Sequence, residues 1–187
     1  MTDALLDPAV IRMQPIRPDD EPRLISLYEH LSERSIYQRF FTLMPRLPQD
    51  WAHKLANVDY VTRSAIVLEQ IPADDRTPEQ RSPAWRLDPP TRIPAPALLL
   101  GVARYEPTKQ AGLAEVAFVV RDEFQGQGHG KRLLAALLAE AAANGITRYR
   151  ADVLAGNRRM LGMLARHTRI VSRSLDSGVA EVLFERA

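Results

Sequence analysis

Phe118-Val119-Val120-Arg121-Asp122-Glu123-Phe124-Gln125-Gly126-Gln127-Gly128-His129-Gly130-Lys131-Arg132-Leu133-Leu134 is the stretch on which the reading of this chain turns. Just before and into it, residues 114–120 are rich in Val and Phe and predict a strand. Residues 131–143 are almost all Ala, Leu and charge, and predict a strong helix. Between them stand Gly126, Gly128 and Gly130 at alternate positions. A strand, a tight glycine loop and a helix N-terminus make a site for a phosphorylated ligand. The first helical N–H groups have no intrahelical partner, and the helix dipole is positive there. Without Cβ atoms the loop lets its backbone approach a pyrophosphate.

Two familiar phosphate loops do not fit. A Walker loop needs Gly at position 125 and Ser or Thr after the Lys, where this chain has Gln125 and Arg132. A dinucleotide fingerprint needs two residues between its second and third Gly, and here there is one.

Composition narrows the chemistry further. The chain has 187 residues, enough for one domain with a real core. It has no cysteine, which excludes disulfides, thiolate metal sites and Cys nucleophiles. Formal charge is +2 although the isoelectric point is about 9.1, a balance that gives no case for nucleic acid. His30, His53, His129 and His167 have no metal-ligand spacing, so no metal is expected. No basic segment precedes an apolar run at the N-terminus, and no apolar run is long enough to span a bilayer. A cytoplasmic protein without a membrane partner is the expectation.

Taken in order, residues 1–9 read as a loose terminus and 10–16 as a strand. Asp19 or Asp20 caps a first helix with Pro22 just inside it. Ser32 caps a second helix over 32–41, and 48–56 reads as another. Residues 64–70 predict a strand. A Pro-rich insertion then runs over about 71–96, with Trp85 either pinned to the body or to a partner, or simply a buried loop anchor. Strands follow at 97–105 and 113–120, paired as an antiparallel hairpin. The helix after the glycine loop ends at Asn144-Gly145. A strand at 147–154, a helix at 157–167 and a hairpin of 170–175 with 179–184 complete a single α/β domain, 1–187, with a mixed, mostly antiparallel sheet flanked by helices.

Gln125-Gly126-Gln127-Gly128-His129-Gly130 matches Gln/Arg-x-x-Gly-x-Gly/Ala, and the chain resembles the GCN5-related N-acetyltransferases. Within them it resembles the bacterial protein lysine acetyltransferases that regulate acyl-CoA synthetases. That likeness is carried by the opening Ile16-Arg17-Pro18-Asp19-Asp20-Glu21-Pro22, by residues 31–41, by Ala114-Glu115 and by Asn157-Arg158-Arg159-Met160. The resemblance implies the acyltransferase fold and acetyl-CoA as co-substrate. It implies a cofactor site of Phe118, Val119, Val120, Gln125, Gly126, Gln127, Gly128, His129, Gly130, Lys131 and Asn157. It further implies that the strand at 118–120 splays from its neighbour, pairs with pantetheine and offers an N–H near Val119 to the thioester carbonyl. Asn157 is read equally as a plain helix cap.

Lysine has an unperturbed pKa of about 10.4, so a base must take a proton before its amine attacks. Glu115 is the candidate, four residues before Val119 and on the same strand face; the alternative is an ordinary surface carboxylate. Two departures stand out. Leu164 occupies the place of the general-acid Tyr of many relatives, and Thr168-Arg169 the place of a Gly-Phe pair. The expected acceptor is a protein lysine, with an acyl-CoA synthetase as the candidate partner. A small amine is the alternative acceptor, and an idle acyl-CoA-binding regulator the alternative role.

Overall fold

The computed structural model describes residues 10–71 and 97–187. The loose terminus and the insertion therefore lie outside the described residues, except for Ile71. That residue closes a strand, buried and paired with Val10. The elements are β1 (Val10–Pro15), α1 (Glu21–Glu29), α2 (Glu33–Phe40), α3 (Gln49–Ala56), β2 (Ser64–Ile71), β3 (Leu98–Pro107), β4 (Leu113–Val120), α4 (His129–Ala143), β5 (Arg148–Leu154), α5 (Arg158–His167), β6 (Thr168–Asp176) and β7 (Val179–Arg186).

Seven strands form one sheet in the order β1-β2-β3-β4-β5-β7-β6. Only β4 and β5 are parallel; every other neighbour is antiparallel. The central strands are buried on both faces because helices cover both. Along β2, Ile66 and Leu68 pack with Leu133, Leu134 and Leu137 of α4, whereas Ala65 and Val67 pack with Leu24 and Leu27 of α1 and Ala52 of α3. This alternation explains a run, Ala65-Ile66-Val67-Leu68, that has no polar break.

The start of α2 follows the sequence, and that of α1 differs in its cap. Ser32 caps α2 as expected, its hydroxyl accepting from Ser35 N at 3.2 Å. Asp20 does not cap α1 through its side chain. Its carboxylate accepts from Arg17 N at 2.9 Å and from Arg23 at 2.5 Å, while Arg23 also reaches the fully buried Glu69 of β2 at 2.5 Å. Arg12 holds the other Glu69 oxygen, so the buried carboxylate is paired on both sides and ties α1 to the sheet.

The last hairpin turns on Ser177 and Gly178, both with positive φ, as a type I′ turn requires. β6 is longer than the sequence predicts. It starts at Thr168 with no loop after α5, because Thr168 is already extended and its hydroxyl donates to Leu164 O at 2.7 Å. Beyond Thr168 this edge strand is exposed on both faces.

Gly101 of β3 marks the tightest contact behind β4. A Cβ there would meet Val119 O at 2.7 Å, Val120 Cγ2 at 3.1 Å and Leu133 Cδ1 at 3.2 Å. Gly101→Ala should therefore push β4 and α4 apart and destabilise the fold by about 1–3 kcal/mol in a denaturant titration. An unchanged midpoint would show that the strands yield at no cost.

Candidate active site

β4 and β5 pair only at Leu113 with Arg148, Ala114 with Tyr149 and Glu115 with Arg150. Past Glu115 the two strands diverge, and the β5-side edge of residues 116–120 has no strand partner among the described residues. Backbone direction along β4 follows from two bonds. Arg121 N donates to Leu100 O of β3 at 2.8 Å, and Val119 O also faces β3, against Gly101. Polar groups alternate along a strand, so the amides of Phe118 and Val120 face the open edge. Val120 O accepts from Gln125 Nε2 at 2.9 Å on that same side. The amide near Val119 that is open to a ligand is thus that of a neighbour, not of Val119 itself.

The open edge leads into the glycine loop. Gly126 and Gly128 adopt φ of +81° and +84°, a region that residues with a Cβ rarely enter. α4 then begins at His129, two residues earlier than the sequence predicts. Its apolar face, including Leu133, Leu134 and Leu137, is fully buried, which holds the loop rigidly beneath β4.

A cavity of about 320 Å³ lies between this loop, β4, α2 and α5. Phe118, Val119 and Val120 line it from β4; Gln125, Gly126, Gly128, Gly130 and Lys131 line it from the loop; Asn157 lines it from the start of α5. Asn157 Oδ1 also accepts from Met160 N at 3.1 Å, so the residue is a helix cap that faces the cavity. Among the described residues, the ionisable side chains lining it are Arg39, Lys131, Arg159, Arg166 and His167, with no carboxylate. A cavity with basic walls, open strand amides and a helix N-terminus suits a polyanionic ligand carrying an amide-rich arm.

Three sequence-predicted residues stand off the cavity. Gln127 turns back to donate to Glu123 O at 3.1 Å. His129 points into the protein against Phe124, 5% exposed, and neither ring nitrogen has a partner among the described residues. Glu115 stands at the apex where β4 and β5 part, its carboxylate 2.6 Å from Arg150 Nη2. The pair is 45% and 33% exposed, so it is well screened. Arg150 also lies 3.6 Å from Glu181, and the hydrogen bond to Glu115 pushes its pKa up. Asp152 belongs to the same group: burial raises its carboxyl, Arg150 opposes this, and Glu115 and Glu181 add to it. Leu164 is fully buried and offers nothing to the cavity.

Comparison with known proteins decides the family. The profile of the Acetyltransferase (GNAT) family matches residues 60–168. The chain belongs to the GNAT acetyltransferase family. Members use acetyl-CoA as acyl donor. The GNAT domain of S. lividans PAT superposes with a TM-score of 0.73 at 28% identity, covering 99% of both chains. A cAMP-binding acyltransferase from Mycobacterium smegmatis shares the fold, with a TM-score of 0.55 and 22% identity over 94% of this chain and 43% of that one. Acetyltransferase Pat of Mycolicibacterium smegmatis is 43% identical over 56 residues, 30% of this chain and 17% of Pat. The chain therefore spans a fraction of that curated relative and under half of the cAMP-binding protein. The resemblance to bacterial lysine acetyltransferases holds, as does the α/β fold with its mixed sheet. Among the described residues no helix is long and apolar enough to cross a membrane, and no group of three or more His, Cys, Asp and Glu is placed to hold a metal ion.

Sequence reasoning about this GNAT domain missed the walls contributed by α2 and α5. Ser35, Gln38 and Arg39 of α2 line the cavity, as do Arg159, Met160, Met163, Arg166 and His167 of α5. For α5 a signal existed: positions 159, 160, 163, 166 and 167 recur at helical spacing. For α2 there was none in the local sequence. Arg39 lies over the Phe40 ring at 4.9 Å, and burial, then Arg104, lower its pKa to about 10 against the opposing pull of Glu115 and Glu106.

His129 gives a pH test of the loop. Burial, then Arg132, lower its pKa, so the folded protein declines a proton that the unfolded chain accepts. Stability should therefore fall as pH drops below about 6.5, by at most about 1.4 kcal/mol per pH unit for this group. His129→Leu should remove that part of the slope and raise stability at pH 5 relative to wild type. Parallel pH profiles for the two proteins would show that His129 is accommodated in its charged form.

Proposed function

We propose that this domain transfers the acetyl group of acetyl-CoA to the side-chain amine of a protein lysine by direct attack, with Glu115 as general base. The observation that carries this reading is the opened edge of β4, which runs from Glu115 at its apex to the glycine loop at its far end. Residues 125–130 and the start of α4 would hold the pyrophosphate through backbone N–H groups. Lys131, Arg159 and Arg166 would balance phosphate charge. The free amides of Phe118 and Val120 would bind the pantetheine arm and polarise the thioester carbonyl as negative charge grows on its oxygen. Asn157 would shape the channel from the other side.

The acceptor side has the opposite charge. Glu115, Asp152 and Glu181 surround Arg150 beyond the apex, while Glu106, opposite Glu115 on β3, is itself paired with Arg104 and Arg63. Such a surface draws an ammonium group toward the place where Glu115 can take its proton, directly or through water. The C–N bond then forms and the C–S bond breaks. Glu115 would pass the ammonium proton on to solvent, and the second proton, lost from nitrogen as the amide forms, is balanced by the one the thiolate takes up. The likeness to PAT and Pat supports a protein lysine over a small amine, with an acyl-CoA synthetase as candidate partner.

Glu115→Gln keeps the size of the side chain but cannot accept a proton. Acetyl-CoA affinity should stay nearly unchanged while kcat falls by about 10²–10⁴-fold. Wild-type kcat/KM should rise with pH. A mutant with wild-type rates at neutral pH removes Glu115 from the mechanism. Acetyl-CoA should also raise the melting temperature, and Gly128→Glu should abolish the rise by placing bulk and negative charge at the pyrophosphate position. Mass-spectrometric mapping of acetylated lysines in a treated cell extract separates protein from small-amine acceptors.

A further inference from the structure

Two side chains just before the glycines are committed to the protein itself. The Asp122 carboxylate accepts from Ser32 N at 2.9 Å, Ser32 Oγ at 2.7 Å and Ser35 Oγ at 2.8 Å. Ser35 Oγ in turn accepts from Gln125 Nε2 at 3.1 Å. Gln125 Oε1 accepts from Arg159 Nη1 of α5 at 3.0 Å. The first turn of α2, the end of β4, the loop and α5 thus meet on Asp122, Ser35 and Gln125. Burial alone would raise the Asp122 carboxyl, but the bonds from Ser32 and Ser35 prevail and hold it below its ordinary value.

A helix cap does not account for this arrangement. Ser32 already caps α2 through its own hydroxyl. Asp122 comes from 87 residues beyond Ser35 and shares that serine with Gln125, a loop residue lining the cavity. Ser35 also leads, within one turn of α2, to Gln38 and Arg39 on the cavity wall. We propose that Asp122 is a positioning residue that couples α2 to the glycine loop, so that the α2 wall with Arg39 and residues 125–130 take up their places as one unit. The inference rests on the reading of the cavity as the acetyl-CoA site. Its consequence is that filling the loop also sets the position of the α2 wall.

The test uses the full chain and the variants Asp122→Asn, Asp122→Ala and Ser35→Ala, with melting temperature as the control for folding. Amide hydrogen exchange is followed over residues 33–40 and 125–132 without ligand, and KM for acetyl-CoA and kcat are measured separately. Each variant should speed exchange in both segments and raise KM for acetyl-CoA by about tenfold, with kcat changing far less. The Asp122→Asn, Ser35→Ala double variant should be no worse than the more severe single one, because both cut the same link. Faster exchange in 33–40 alone, with KM unchanged, would overturn the proposal and leave a helix cap. If the Asp122 variants do not fold, Ser35→Ala decides, since it cuts the shared link and leaves the two Ser32 bonds. If wild type binds no acetyl-CoA, the functional reading fails, while the exchange measured without ligand still decides whether α2 and the loop are coupled.

Discussion

Parallel pairing between β4 and β5 lasts for three residue pairs and then stops, and the site is built on that stop. On its other edge β4 is fully paired. It pairs with β3 from Ala114 to Val120, and Gly101 lets the Val119 carbonyl come closer than any other residue would allow. β5 is equally committed to β7 along its whole length, from Arg148 to Leu154. Two strands held firmly by their outer neighbours diverge where α5 and the cavity begin. A wedge of unpaired backbone amides inside a fold is costly unless something pairs with them. An extended ligand with its own amides answers that need, and a simple side chain does not.

Charge divides along the same wedge. Among the described residues, the ionisable groups lining the cavity are all basic, and the carboxylates Glu115, Asp152 and Glu181 stand beyond its apex around Arg150. On the proposed reading, this would sort an anionic donor and a cationic acceptor to opposite ends of one opening. Arg39 stands at the border. It lines the main cavity and also a smaller one of about 30 Å³ beneath α1 and α3, and its pKa is lowered by burial first and by Arg104 second.

Much of this was legible in the sequence because it is local. The glycine loop, the α4 face, the Ser32 cap, the Asn157 cap and the Asp176-Ser177-Gly178 turn each depend on residues within a few positions of one another. What was not legible depends on residues far apart. Nothing near Ser35 announces that Asp122 will grip it, and nothing near Arg39 announces a cavity wall. The start of β6 at Thr168 was missed because its helix cap and its strand conformation are the same residue. The face of Glu115 was readable from strand alternation, but its pairing with Arg150 required the parallel register.

The burial of Leu164 bears on how the reaction closes. A thiol of ordinary acidity has a pKa of about 8.5, so its anion is a reasonable leaving group near neutrality without an acid at hand. The cavity adds to this. Among the described residues its lining carries Lys131, Arg159 and Arg166 and no carboxylate, so developing negative charge on sulfur meets a favourable field at some distance rather than a single donor. On the proposed reading, the demand for proton transfer would then fall on the other side, where an ammonium would be made neutral. That asymmetry would fit the residues present: the Glu115 carboxylate at the apex, and the aliphatic Leu164 where other relatives place a tyrosine.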